Sequence, residues 1–128
     1  DYIELINRSY NLKNRSIYML GKLIIPKNKE NILLYLAGRK EGYAREIARY
    51  FRMSLSPVQD QIQILEEGGI IIGRKIGKTI IFQLNPRYPF YNEVLELLNK
   101  AISYLPESER DKLLMIRKRP RRKGKPID

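Results

Sequence analysis

Cysteine and histidine are both absent from the 128 residues, which removes thiolate nucleophiles, imidazole bases, disulfides and every Cys/His metal site. Carboxylates, lysines, tyrosines and serines are left. The paired carboxylates Glu66 and Glu67 read as a solvated helix end rather than a general acid and base, and no glycine-rich loop of phosphate-binding or dinucleotide-binding spacing occurs. Neither an enzyme nor a cofactor is expected. The side chains that remain suit recognition. Gln59 and Gln63 stand four residues apart, so on a helix they project from neighbouring turns, and a glutamine amide can pair bidentately with adenine. Asp60 can accept from a cytosine amine. Ser56, Gln59, Asp60 and Gln63 are therefore candidate base-reading residues. The alternative is that Ser56 and Gln59 close a capping box and the others solvate the helix.

Lys+Arg number 25 against 14 Asp+Glu, a net charge of +11, so the surface carries a field that attracts polyanions. Candidate contacts to a nucleic-acid backbone are Arg45, Arg49 and Arg52, then Arg74, Lys75 and Lys78, and finally Arg117, Lys118, Arg119, Arg121, Arg122 and Lys123 in a C-terminal run. Residues 117–128 hold seven cations against Asp128 alone. With so few apolar groups, that stretch is expected to be disordered when free. The apolar runs are too short to span a bilayer, which needs roughly 20 residues, and the chain does not start like a secretory signal. No membrane partner and a cytoplasmic location are expected.

These residues need elements to hold them. Ile32, Leu33, Leu36 and Ala37 recur at helical spacing between Pro26 and Gly38, predicting a helix over 28–37. A second, at about 44–51, turns Ile47, Ala48 and Phe51 to one side. The third is predicted to start with Ser56 as N-cap and Pro57 as first helical residue, and to end at Gly68-Gly69, with Val58, Ile62 and Leu65 as its apolar stripe. Two β-branched runs on either side of Gly77 predict a hairpin with a basic tip. A fourth helix over 90–105 carries Tyr91, Val94, Leu95, Leu98, Ala101, Ile102 and Leu105, and Pro106 opens a fifth. In residues 2–25, Ile3 with Ile6 and Ile17 with Leu20 suggest helix, while Gly21 and the run Leu23-Ile24-Ile25 also allow a strand.

The segment from Ile47 to Ile71, with Ala48, Met53, Ser56, Val58, Ile62, Leu65 and Gly69 in register, resembles the winged helix-turn-helix regulators of the ArsR/MarR-like type. The resemblance covers roughly residues 31–84. It implies a mostly α fold with a small β-hairpin wing and additional terminal helices. It also implies that the third helix enters a major groove of double-stranded DNA while the wing touches the flanking backbone or minor groove. Arg52 departs from the pattern, which has glycine there, at a position that often requires positive φ and costs another residue about 1 kcal/mol. Asp60 is a second departure. The metal-sensing branch has no thiolate or imidazole ligands here.

The division expected is an N-terminal extension (1–25) that could serve dimerisation, a winged helix-turn-helix domain (26–86), C-terminal helices (87–116) and a basic tail (117–128). The fourth helix is longer than one small core needs, so Tyr91, Val94, Leu95, Leu98, Ile102 and Leu105 are expected at a homodimer interface. The competing reading is a winged-helix module that binds protein or RNA without reading DNA sequence. Nothing in the residues names a small-molecule effector.

Overall fold

The computed structural model describes residues 26–115. Helix α1 (Lys27–Arg39) is followed by strand β1 (Gly42–Tyr43), helices α2 (Ala44–Tyr50) and α3 (Leu55–Glu67), strands β2 (Ile71–Ile76) and β3 (Thr79–Leu84), and helices α4 (Tyr91–Ser103) and α5 (Glu107–Leu114). The three strands form one antiparallel sheet in the order β1-β3-β2. This is the winged helix-turn-helix expected, with two further helices after the wing.

α1 is the axis of the molecule. Every residue from Glu30 to Ala37 is buried, because α3, α4, α5 and the sheet pack around it. The helix does not stop at Gly38 as its sequence predicts. It runs to Arg39 and ends where Lys40 takes φ 77° and donates its N–H to the Leu36 carbonyl. Gly38 is instead a seat for α5: a Cβ there would lie 2.9 Å from Leu113 Cγ. A two-residue β1, too short to announce itself in sequence, pairs Gly42 with Phe82 and Tyr43 with Ile81 and ties the helix-turn-helix to the wing.

The turn between α2 and α3 shows how Arg52 fits the glycine position. Met53 N–H bonds Ala48 O at 2.8 Å and Arg52 N–H bonds Arg49 O at 3.2 Å, the double bond of a Schellman ending. Arg52 takes φ 55°. The same motif closes α3, where Ile70 and Gly69 bond Leu65 O and Glu66 O and Gly69 holds φ 74°. The arginine adopts the glycine geometry rather than reshaping the turn.

The start of α3 corrects the sequence reading. Its N-cap is Ser54, in extended backbone, so Ser56 lies inside the first turn; no side-chain cap bond forms there, and Gln59 closes no capping box. The first-turn N–H groups have no intrahelical acceptor, so Pro57 is as acceptable third as first. Starting earlier lets Leu55 pack against the core.

α4 brings a second correction. Leu98, Ile102 and Leu105, expected at a dimer surface, are buried within this chain's own core together with Ala101. Tyr91, Val94 and Leu95 are half-buried and pack on the same cluster. The apolar stripe was read correctly, but α1 is so apolar on every side that it draws α4 against itself. α5 carries Glu107 and Glu109 in its first turn, as the helix dipole favours. The N-terminal extension and the tail cations Arg117 to Lys123 lie outside the described residues.

Candidate nucleic-acid interface

α3 turns Val58, Ile62 and Leu65 into the core. Helical geometry then places Ser56, Asp60, Gln63 and Glu67, spaced i, i+4, i+7 and i+11, along the opposite crest, and all four are exposed. No part of the described chain covers them. Gln59 and Gln63 come together as expected: both line a groove of about 420 Å³ between α3 and the wing. Gln63 is engaged within the helix, its Nε2 donating to Glu67 Oε1 at 3.2 Å. The face has three carboxylates, Asp60, Glu66 and Glu67, and no cation.

The opposite wall of that groove is the wing, represented by Lys78, Thr79 and Ile80, and Arg45 of α2 lines it too. β2 and β3 are joined by a tight turn in which Gly77 takes φ 61°, the first-position geometry of a hairpin turn matched to strand twist. Thr79 Oγ1 donates to Ile76 O at 3.0 Å across the turn. Lys75 and Lys78 are exposed at this tip. Arg74 is shared: its Nη2 donates to Glu41 Oε2 at 3.4 Å, an exposed pair of small energetic weight. At the root, Phe82 and Leu84 enter the core. Gly73 is required there, since a Cβ would come within 2.7 Å of Ile80 Cγ2.

Arg45 and Arg49 lie on the exposed side of α2, and Arg52 is exposed in the turn. The two helical arginines line a second cavity, of about 560 Å³, with Tyr35, Arg39 and Tyr50. Arg39 organises that region and escaped the sequence reading, which ended its helix too early. Its Nε and Nη2 donate to the carbonyls of Leu113 and Lys112 at 3.0 and 3.1 Å, and Nη1 donates to Tyr35 Oη at 3.2 Å. The guanidinium lies 5.1 Å from the ring centres of both Tyr35 and Tyr50, close enough for cation–π attraction. It thereby caps the last carbonyls of α5 and clamps that helix to the helix-turn-helix. Burial, with the Glu109 charge second, pushes the Tyr50 phenol up to about 12. Burial likewise raises that of Tyr35. The Tyr50 hydroxyl is buried without a hydrogen-bond partner.

Sequence reasoning also passed over the apolar content of the exposed surface. Ile64 on α3 and Ile72, Ile76 and Ile80 on the wing are solvent-exposed. The hairpin alternation carries the signal for Ile72 and Ile76, because only one face of a two-stranded wing can meet a core; Ile80 shares the face of Phe82 but lies nearer the tip. Among the described residues no group of three or more carboxylates could hold a metal ion, and no helix is long and apolar enough to cross a membrane.

No protein-family model matches the chain, and no curated protein matches it in sequence. Solved structures do match. The chain is similar to the transcriptional regulator BldR from Sulfolobus solfataricus, 16% identical over 91% of this chain and 79% of that one, with a TM-score of 0.51. It is also similar to the adhesin competence repressor AdcR from Streptococcus pyogenes, 17% identical over 90% and 91% of the two chains at a TM-score of 0.49. A third is ZitR, a zinc-responsive MarR family member from Lactococcus lactis, 9% identical over 89% and 85% at 0.44. The architecture is that of a winged helix-turn-helix protein.

Proposed function

We propose that this chain is a DNA-binding transcriptional regulator that places the outward crest of α3 in the major groove and its wing on the flanking backbone. The observation that carries the reading is the uncovered crest of Ser56, Asp60, Gln63 and Glu67 standing beside an acid-free wing tip. A major groove about 12 Å wide accepts one helix, and α3 is 13 residues long. Gln59 and Gln63 then read adenine and Asp60 a cytosine amine, while the absence of any cation on α3 removes the usual bidentate partner of guanine. Lys75, Lys78, Arg45, Arg49 and Arg52 contact phosphates, with Arg74 joining them on release from Glu41. The cations Arg117 to Lys123 add sequence-independent affinity.

We further infer a homodimer. Phe90 and Leu97, seven residues apart along the outer flank of α4, remain exposed, apolar surface outside the core cluster. A two-fold pair would place two α3 helices about 34 Å apart. Replacing Leu97 by Ala should shift sedimentation toward monomer while leaving the fold intact.

The deciding experiment is a fluorescence titration of the full chain with random duplex DNA over a salt series, followed by selection of bound sequences from a random pool. A DNA-binding protein shows a log–log slope of about −0.9 per phosphate contacted, and the selected pool shows a motif. The acidic face of α3 favours a second reading, a winged-helix module for a protein or RNA partner. A flat, weak isotherm with duplex DNA would select it.

A further inference from the structure

The wing exposes apolar surface where a phosphate-contacting loop has no use for it. Ile76 and Ile80 are 44% and 47% exposed. Ile76 pairs with Thr79 and Ile80 with Lys75 in the β2–β3 register, so the two isoleucines stand on opposite faces of the ribbon, each within one residue pair of the turn. Ile80 looks into the groove beside α3, and Ile76 looks away from it. The turn itself is bare: a Cβ at Gly77 would meet nothing within 4 Å. The result is a thin blade with branched aliphatic groups near its end, Lys75 and Lys78 alongside, and a root locked into the core by Phe82.

A blade of this chemistry fits one kind of partner. The minor groove of B-DNA is about 6 Å wide, with phosphates on both rims for the lysines. Apolar side chains that enter it wedge between base steps, unstack them in part and kink the duplex by about 20–90°. A cationic tip that only grips the backbone would leave the isoleucine unexplained. A tip that docked a protein would gain nothing from flanking lysines unless that protein were acidic.

Building on the DNA-binding reading above, we propose that the wing tip is a minor-groove wedge in which Ile76 presses on a base step between Lys75 and Lys78. The bound duplex is therefore bent. Site choice includes a preference for easily unstacked pyrimidine–purine steps that no side chain hydrogen-bonds.

The test uses the full chain and short duplexes that it selects from a random pool, labelled at both ends for energy transfer. Wild type should shorten the end-to-end distance on binding. Ile76→Thr keeps a β-branched residue and should abolish most of the bend, with about tenfold weaker binding to the selected site. Ile76→Met should restore the bend, and Ile72→Thr, on the same face four residue pairs nearer the root, should leave it unchanged. A thermal melt confirms that each variant is folded. Tight binding by wild type without bending, or an unaltered bend in Ile76→Thr, overturns the wedge and leaves DNA recognition standing. An equal loss in Ile72→Thr also overturns it, since the effect would then belong to the whole sheet face. Absence of any duplex binding removes the DNA-binding reading, and the wedge with it.

Discussion

Two walls of one groove have opposite character. α3 presents Asp60, Glu66 and Glu67 with no cation, whereas β2 and its turn present Arg74, Lys75 and Lys78 with no acid; of these, Glu66 and Lys78 line the groove itself. The helix can accept and donate hydrogen bonds to base edges but would be repelled by phosphates. The wing is attracted to phosphates and has few groups able to tell bases apart. In the proposed function, reading and gripping fall to separate elements, and the short β1, together with Phe82 in the core, holds those elements in register.

Removing the shared support should have the largest effect. Phe82→Ala leaves a cavity under the wing root and should lower unfolding free energy by about 3–5 kcal/mol, read by urea denaturation, with both surfaces failing together. Next comes the wing alone. Lys75→Ala with Lys78→Ala should reduce the salt slope of duplex binding by about 2 and weaken all sequences alike; a selective loss at one motif would break the division of labour. Gln63→Ala should act on the helix side only, relaxing preference at one or two base pairs by about 1–3 kcal/mol while the salt slope stays fixed. Arg52→Gly removes a left-handed non-glycine residue and should stabilise the fold by about 1 kcal/mol at most, because the freer unfolded chain offsets part of the gain. In duplex binding it should cost a single unit of slope if Arg52 meets a phosphate.

An effect absent at neutral pH concerns Tyr50, which packs against Tyr35, Phe51 and Arg39. Its phenol holds its proton up to about 12 in the fold, while the unfolded chain releases it near 10. Stability is therefore fully present below about pH 10 and declines between there and about pH 12. Tyr50→Phe should flatten that alkaline decline in urea titrations without altering DNA binding.

Much of this was legible in the residues. The stripe Val58, Ile62 and Leu65 set which side of α3 faces outward, and β-branched runs about Gly77 marked the wing. The position of Arg52 was flagged as one that often requires positive φ, and it is left-handed. Periodicity failed where it could not know what lies opposite. Leu98, Ile102 and Leu105 carry the same pattern whether a neighbour in the chain or a second copy covers them. Gly38 looked like a stop but is a close approach to Leu113. Ser56 looked like a cap because Ser-Pro suits a cap, yet the helix starts at Leu55 with Ser54 as N-cap, and the half-buried Leu55 packs against the core.

By itself the sequence determined the kind of surface, since charge and hydrogen-bonding capacity belong to side chains whatever their neighbours. It also determined the local elements, whose periods and turn residues are read over a few positions. Tertiary structure alone decided which apolar face is spent inside the chain, which cation is already paired, as Arg74 is with Glu41, and that Arg39 clamps α5 across 74 positions of sequence. Those outcomes depend on contacts between distant segments, and a contact is a property of two surfaces, not of either one.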